Sequence, residues 1–217
     1  MSWEMAAFQA ALPGIRFTII IAALSCLASL VVGFGLGISA VLSRFMRALE
    51  LTYTTLWRGL PLLVTLFMVF FLVPLAGIDV SSAAAVFVGL TLWGSANVAE
   101  IVVGGIKGIH GAQLDAGLAL GFPQASVLVR VVVPQAVRTM LPSLVGILLA
   151  LVQATTLASM VSAVDLMESV RRVMRTLTIT SGESHSFALY GVLMGIYFCL
   201  CYSLQKFSVF LGKRWAY

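Results

Sequence analysis

The sequence predicts an all-α, polytopic membrane protein of five transmembrane helices, with a cytoplasmic helix-bend-helix loop between the third and fourth. Three observations predict it. Of 217 residues, 61% are hydrophobic and only 10% charged, whereas a soluble domain carries roughly a quarter charged residues. Five apolar runs approach the ~20 residues that span ~30 Å of hydrocarbon at about 1.5 Å per residue. Basic residues gather at the ends of those runs, so the pI near 9.5 reads as a membrane-orientation signal rather than a nucleic-acid surface. With so few charges there is no room for a separate soluble domain, and residues 1–217 read as one transmembrane domain.

The runs follow in order at about 17–42, 60–76, 80–103, 140–164 and 187–211. The first begins after Arg16 and far exceeds the ~7 to 15 residue core of a signal peptide, so it is expected to stay in the mature protein. Within it, Gly33-x-x-x-Gly37 permits close approach of another helix, as does Gly191-x-x-x-Gly195 in the fifth run. An odd number of spans puts the termini on opposite sides. With the N-terminus outside, Arg44, Arg47, Arg58, Lys107, Arg130, Arg138, Lys206, Lys213 and Arg214 are cytoplasmic, and Arg16, Arg171, Arg172 and Arg175 face the other side. The excess inside favours this orientation, with Arg171-Arg172 running against it. Cys26, Cys199 and Cys201 all fall inside apolar runs, as packing cysteines do, and suggest neither a disulfide framework nor a metal pair.

Between the third and fourth runs lies "QLDAGLALGFPQASVLVRVVVPQAV", residues 113–137, part of a cytoplasmic connection at about 104–137. The outer connection of similar length covers about 165–186. Residues 112–120 are mostly good helix formers, Gly121 offers the backbone freedom that ends a helix, and Pro123 suits the first turn of the next. That second helix is expected to end near Val133, because a residue before proline disfavours the helical region. Such short helices are marginal alone and need a surface to pack against. Leu114, Leu118 and Leu120 on the first arm, with Asp115 exposed, fit a docking element for another subunit. They fit a simple interfacial elbow between two spans equally well.

The spacing Asp115-Ala116-Gly117, three residues, Gly121, nine residues, Val131-Val132-Val133-Pro134 resembles the E-A-A, three residues, G, nine residues, I-x-L-P loop of the membrane subunits of binding-protein-dependent ABC importers. Asp stands for Glu, Gly for the second Ala, and Val for Ile and Leu. "WRGLPLLVTLF" (57–67) and "NVAEIVVGGIKGI" (97–109) are similar to the Arg-Gly-Thr-Pro-Leu-Leu-Val and Ala-Glu-Ile-x-Arg-Gly-Gly-Ile segments of that family's polar amino-acid branch, with Val103 where Arg is usual. The resemblance implies a permease subunit in a bacterial inner membrane that moves a polar amino acid by alternating access. Its implied partners are two ABC ATPase subunits, a second permease subunit, identical or sister, and a periplasmic amino-acid-binding protein, with membrane lipid around it. It implies ATPase coupling through Asp115, Ala116, Gly117, Ala119, Gly121, Phe122 and Pro134, with Asp115 as polar contact and Gly121 as bend. The sequence has no G-x-x-x-x-G-K-[ST] phosphate loop, so the chain itself is expected to carry no cofactor and no enzyme activity, and ATP and Mg belong to the partner subunits.

Other polar residues carry two readings each. Glu100, near the cytoplasmic end of the third span, either reaches the interface and pairs with an arginine or meets substrate, as does Asn97 nearby. Gln153, Thr155, Thr156 and Ser159 form a patch in the fourth span, suited to helix-to-helix hydrogen bonds or to lining the substrate path; Gln153 and Ala154 stand where the family commonly has Lys and Asp. Arg171, Arg172 and Arg175, with Asp165 and Glu168, could meet the binding protein on the outer face. An ATP-independent carrier or channel is the alternative, marked by charged or broken helices near the midplane, which the spans here largely lack. An intramembrane enzyme fares worse, because His110 and His185 lie in connections and no span presents a Ser/His or paired-carboxylate constellation.

Overall fold

The computed structural model describes residues 3–182 and 185–215; the side chains of His110, Leu114, Lys213 and Arg214 lie outside the described ones. Among the described residues all regular structure is helical, in the order α1 (Trp3–Leu42), α2 (Arg44–Gly59), α3 (Leu62–Phe67), α4 (Ser82–Ala119), α5 (Gln124–Val127), α6 (Val133–Ala154), α7 (Leu166–Ser181) and α8 (Ser186–Trp215). Helices dominate because hydrocarbon offers no partner to a free backbone N–H or C=O, and a helix pairs both internally. Four helical segments are long and apolar enough to cross a membrane: Ala11–Leu42, Ser82–Ile109, Gln124–Val161 and Ser186–Lys206. Arg44–Gly59 and Leu62–Ala76 form a pair bent by 101° at residues 60–61, which makes a fifth only when the two are counted as one span. The apolar second half of that pair opens with α3. After α3 it continues as a π segment, Met68–Leu72, and a 3-10 turn, Pro74–Ala76.

The chain divides into two compact units, each interleaved in sequence. One comprises Met1–Ser25, Leu62–Leu90 and Leu149–Leu204; the other Cys26–Pro61, Thr91–Leu148 and Gln205–Tyr217.

In the second unit, the core joins α4 to the helix that follows the bend at Gly121. Val98, Val102, Ile106, Val127, Leu128, Val132, Ala136, Met140 and Leu144 are all buried, with Leu30, Phe34 and Ile38 of α1 packed against them. Gly33 and Gly37 let α1 approach: a Cβ on Gly33 would stand 2.5 Å from Val98 Cβ, and one on Gly37 2.7 Å from Val102 Cβ. The sulfur of Cys26 lies 3.8 Å from the Leu148 carbonyl, and all three cysteines are free.

In the first unit, α7 docks on α1 and α8 through Ala11, Leu166, Val170, Val173, Leu189 and Leu193. Gly191 and Gly195 do not repeat the close packing of the first glycine pair. Nothing lies within 4 Å of where a Cβ on either would be, because their side of α8 belongs to its exposed surface, where Val192, Met194 and Phe198 are 62–72% accessible.

The expected helix end before Pro134 does not occur. The helix runs on from α5 through a π segment, Leu128–Val132, into α6. Val133 N–H donates to Leu128 O, five residues back. The wider π turn immediately precedes the residue that has no N–H, so the missing donor and the ring are absorbed without a break.

Candidate functional site

The connection at about 104–137 folds as an elbow. α4 ends at Ala119, Gly121 adopts φ +83°, its N–H donates to Leu118 O at 2.9 Å, and Phe122 N–H donates to Gly117 O at 3.2 Å. This paired closure satisfies the last carbonyls of the helix, and it needs a left-handed residue where glycine has no Cβ penalty. Pro123, with φ −65° and ψ 144°, then starts α5 from its N-cap position.

Two contacts hold the arms together. Gly117 faces Val127, whose Cγ2 would lie 2.6 Å from a Cβ at 117, so the glycine standing where alanine is usual lets the arms close. Gln113 and Gln135 exchange two side-chain amide hydrogen bonds, each 2.7 Å. The inner faces of the arms leave a groove of about 570 Å³ that includes Ala116, Leu120, Phe122 and Arg130. The outer tip is apolar and open: Leu120 is 77% and Phe122 54% accessible. Asp115 is exposed, and among the described residues it has no ion pair. Ala116, Gly117, Ala119, Gly121 and Phe122 thus cluster at one bend, while Pro134 lies on the ascending arm.

Polar residues in the spans mostly bond to their own helices. Asn97 Nδ2 donates to Trp93 O at 2.8 Å. Glu100 faces Arg58 at 3.5 Å, both side chains about two-fifths exposed, which makes this a weak pair. The hydroxyls of Thr155, Thr156 and Ser159 donate to carbonyls three residues back, at 2.7, 2.8 and 3.0 Å. The acceptors Val152 O and Gln153 O belong to the end of α6, and Thr156 O to the 3-10 segment Thr155–Val161 that follows; Thr155 also interacts with the Tyr197 side chain of α8. Gln153 is exposed.

On α7 the arginines divide. Glu168 is held by Arg172 at 3.2 Å and Arg175 at 2.6 Å, while Arg171 is half-buried. All but Arg172 border an open groove of about 600 Å³ with Met174, Thr178, Ile179 and Tyr190. Asp165 cannot meet a partner here, contrary to the expectation for the outer loop, because it is fully buried. It is the N-cap of α7: Oδ1 accepts from Glu168 N–H at 2.8 Å, and Leu166 N–H donates to Thr18 Oγ1 at 3.1 Å. The signal was present in Asp165-x-x-Glu168, a capping pattern.

Burial pushes the Asp165 carboxyl up from 3.8 to about 6, with backbone N–H bonds acting the other way. Its Oδ2 has no hydrogen-bond partner among the described residues. The folded chain therefore binds the carboxyl proton more tightly than the unfolded one, so the contribution of Asp165 to stability is greatest below about pH 4 and is lost as pH rises through about 6. Asp165→Asn keeps the cap and removes the charge. It is expected to raise the melting temperature at pH 8 by a few degrees and to flatten the dependence between pH 4 and 6, measured by thermal unfolding in detergent. Among the described residues no group of three or more His, Cys, Asp or Glu could hold a metal ion.

Residues 29–209 match the family described as binding-protein-dependent transport system inner membrane component. The chain is 28% identical to a probable amino-acid ABC transporter permease protein of Bacillus subtilis (strain 168), covering 97% of this chain and 91% of that protein. It is 32% identical to a putative glutamine transport system permease protein of Rickettsia felis, covering 85% and 81% respectively. A crystal structure of an amino acid ABC transporter with histidines superposes with a TM-score of 0.84 at 22% identity, over 97% of this chain and 96% of that one. The inward-facing MetNI methionine ABC transporter does so at 0.75 and 19%, over 99% of both. The family model covers the elbow and every candidate crossing except the first part of Ala11–Leu42, and with it the fold and the sequence motifs agree: the chain belongs to the family of binding-protein-dependent transport system inner membrane components.

Proposed function

We propose that this chain is the transmembrane subunit of an ATP-driven importer that carries a polar amino acid inward by alternating access. The observation that carries the proposal is the elbow: a bend closed by backbone and amide hydrogen bonds whose tip presents Leu120 and Phe122 to solvent. An apolar tip on a polar loop gains by docking into another protein. ATP and Mg are held by separate ATPase subunits, since the sequence carries no phosphate loop. ATP-driven closure of those subunits moves the docked elbows, and transport follows if the elbow binds differently in the two states. Asp115 supplies a polar contact to a cation on the ATPase, and Gly121 maintains the bend.

The amino-acid cargo is supported by the relatives' names. Gln153, exposed in the fourth span, is the strongest candidate for the path. Arg171 and the groove beside it offer a face to a periplasmic binding protein, and a second permease subunit completes the translocation pathway. Orientation follows the charges. The unit that contains the elbow holds the nine basic residues from Arg44 to Arg214 named above, against four in the other. This charge bias supports an orientation with the elbow and C-terminus in the cytoplasm and the N-terminus outside.

Cross-linking tests it directly. A cysteine at Ala119 is expected to capture an ATPase subunit in membranes, and uptake in proteoliposomes is expected to require that subunit and ATP. Uptake without either would exclude an importer and leave a carrier or channel.

A further inference from the structure

α2 is amphipathic the wrong way round for a helix of a soluble protein. Its inward face is polar: Glu50 and Thr54 are buried, Glu50 pairs with Arg47, and the Tyr53 hydroxyl lies 2.7 Å from Ser95 Oγ. Its outward surface has two facets. Phe45, Leu49 and Leu56, at positions i, i+4 and i+11, form one stripe and are 71%, 47% and 50% accessible. Arg44, Ala48, Leu51, Thr55 and Arg58 form the other, all exposed, with Leu51, 43% accessible, the one large apolar side chain among them.

Its connections say where this helix lies. The apolar span Ala11–Leu42 ends one residue before it, and the segment Leu62–Ala76 re-enters two residues after it. With the bend of 101° between them, the polar α2 and the apolar Leu62–Ala76 divide into a surface segment and a membrane-entering one, which puts both ends of α2 on one face of the membrane. At 16 residues and about 1.5 Å per residue it covers about 24 Å, so both ends sit at the bilayer surface and the helix runs along it. Arg44, Arg47, Glu50 and Arg58 make it too polar to cross.

We infer that α2 is an interfacial helix that seats Phe45, Leu49 and Leu56 in the acyl chains of the adjoining leaflet and binds anionic lipid headgroups through Arg44. The polar inward face, the outward apolar stripe and the tether at both ends leave lipid as the occupant. Charge complementarity selects the lipid: α2 carries three arginines and one glutamate. Arg47 is engaged by Glu50 and Arg58 faces Glu100. Arg44 has no ion pair among the described residues and stands two residues from the end of a span, where headgroup phosphates lie. A helix in this position is held by its buried apolar area and by attraction to anionic lipid. The inference requires only the spans, not the transport reading.

The test uses the assembled permease in nanodiscs, with its three cysteines changed to serine. A nitroxide at Leu49→Cys is expected to be relaxed by oxygen and shielded from a water-soluble nickel chelate, and one at Thr55→Cys to show the reverse. Nickel access at 49 would overturn the proposal, and so would shielding from both agents, which would mean a protein covers the stripe. For the headgroup, Arg44→Gln is expected to reduce association of spin-labelled phosphatidylglycerol at least twofold relative to phosphatidylcholine. An unchanged ratio would remove the anionic preference.

Discussion

Charging the tip of the elbow with Leu120→Asp and Phe122→Asp is expected to cut ATP-driven uptake by more than tenfold while leaving the subunit folded. Both side chains are more than half accessible, so the fold loses little by the exchange. A docked partner loses two apolar contacts, each worth roughly 1.5–3 kcal/mol when fully buried. It must also bury carboxylates. Since about 1.4 kcal/mol corresponds to a factor of ten, even partial burial of the two side chains predicts loss of coupling. Uptake by reconstituted transporter is the measurement, with gel filtration of the purified subunit confirming that it remains monodisperse. Wild-type uptake would show that the tip grips nothing.

The second large effect is on the fold. Gly37→Leu is expected to abolish recovery of folded protein, whereas Gly35→Leu is tolerated. A Cβ at 37 would stand 2.7 Å from both Val102 Cβ and Cγ1 and 3.0 Å from the Ala99 carbonyl, while nothing lies within 4 Å of one at 35. Val102 belongs to a core whose neighbours are fully buried, so the clash cannot relax by moving a free side-chain end. Overpacking of this kind typically costs about 1–3 kcal/mol for a few extra methylenes, and more when backbone is struck. Membrane-fraction yield and thermal unfolding in detergent separate the two variants. Equal recovery would mean that α1 does not depend on this close approach.

These two sites differ in how far they could be read from residues. The bend was legible because a left-handed helix stop has few chemical solutions and Gly121 followed by Phe122-Pro123 supplies one. The glycine pair in α1 was legible as permission to pack, but the same spacing at Gly191 and Gly195 faces open space. Spacing states what a helix can approach, not what lies opposite. The helix through Pro134 was misread because the proline rule presumes α-type bonding, and a π turn removes that presumption. α2 went unseen because a search for apolar runs passes over a helix whose apolar residues form only one facet. The hydroxyls of residues 155–159 could not be assigned either, since a 3-10 segment is decided by backbone geometry that side-chain pattern does not encode. Asp165 was placed on the surface because a carboxylate suggests exposure, although its distance from Glu168 carried the capping signal.

The double amide clasp between Gln113 and Gln135 has a bearing on how the machine responds to its surroundings. A fastening made of ionised groups would slacken with added electrolyte or with titration, and its firmness would follow the state of the cell. Carboxamides neither titrate nor attract counter-ions, so this fastening between the two arms is indifferent to ionic strength and acidity.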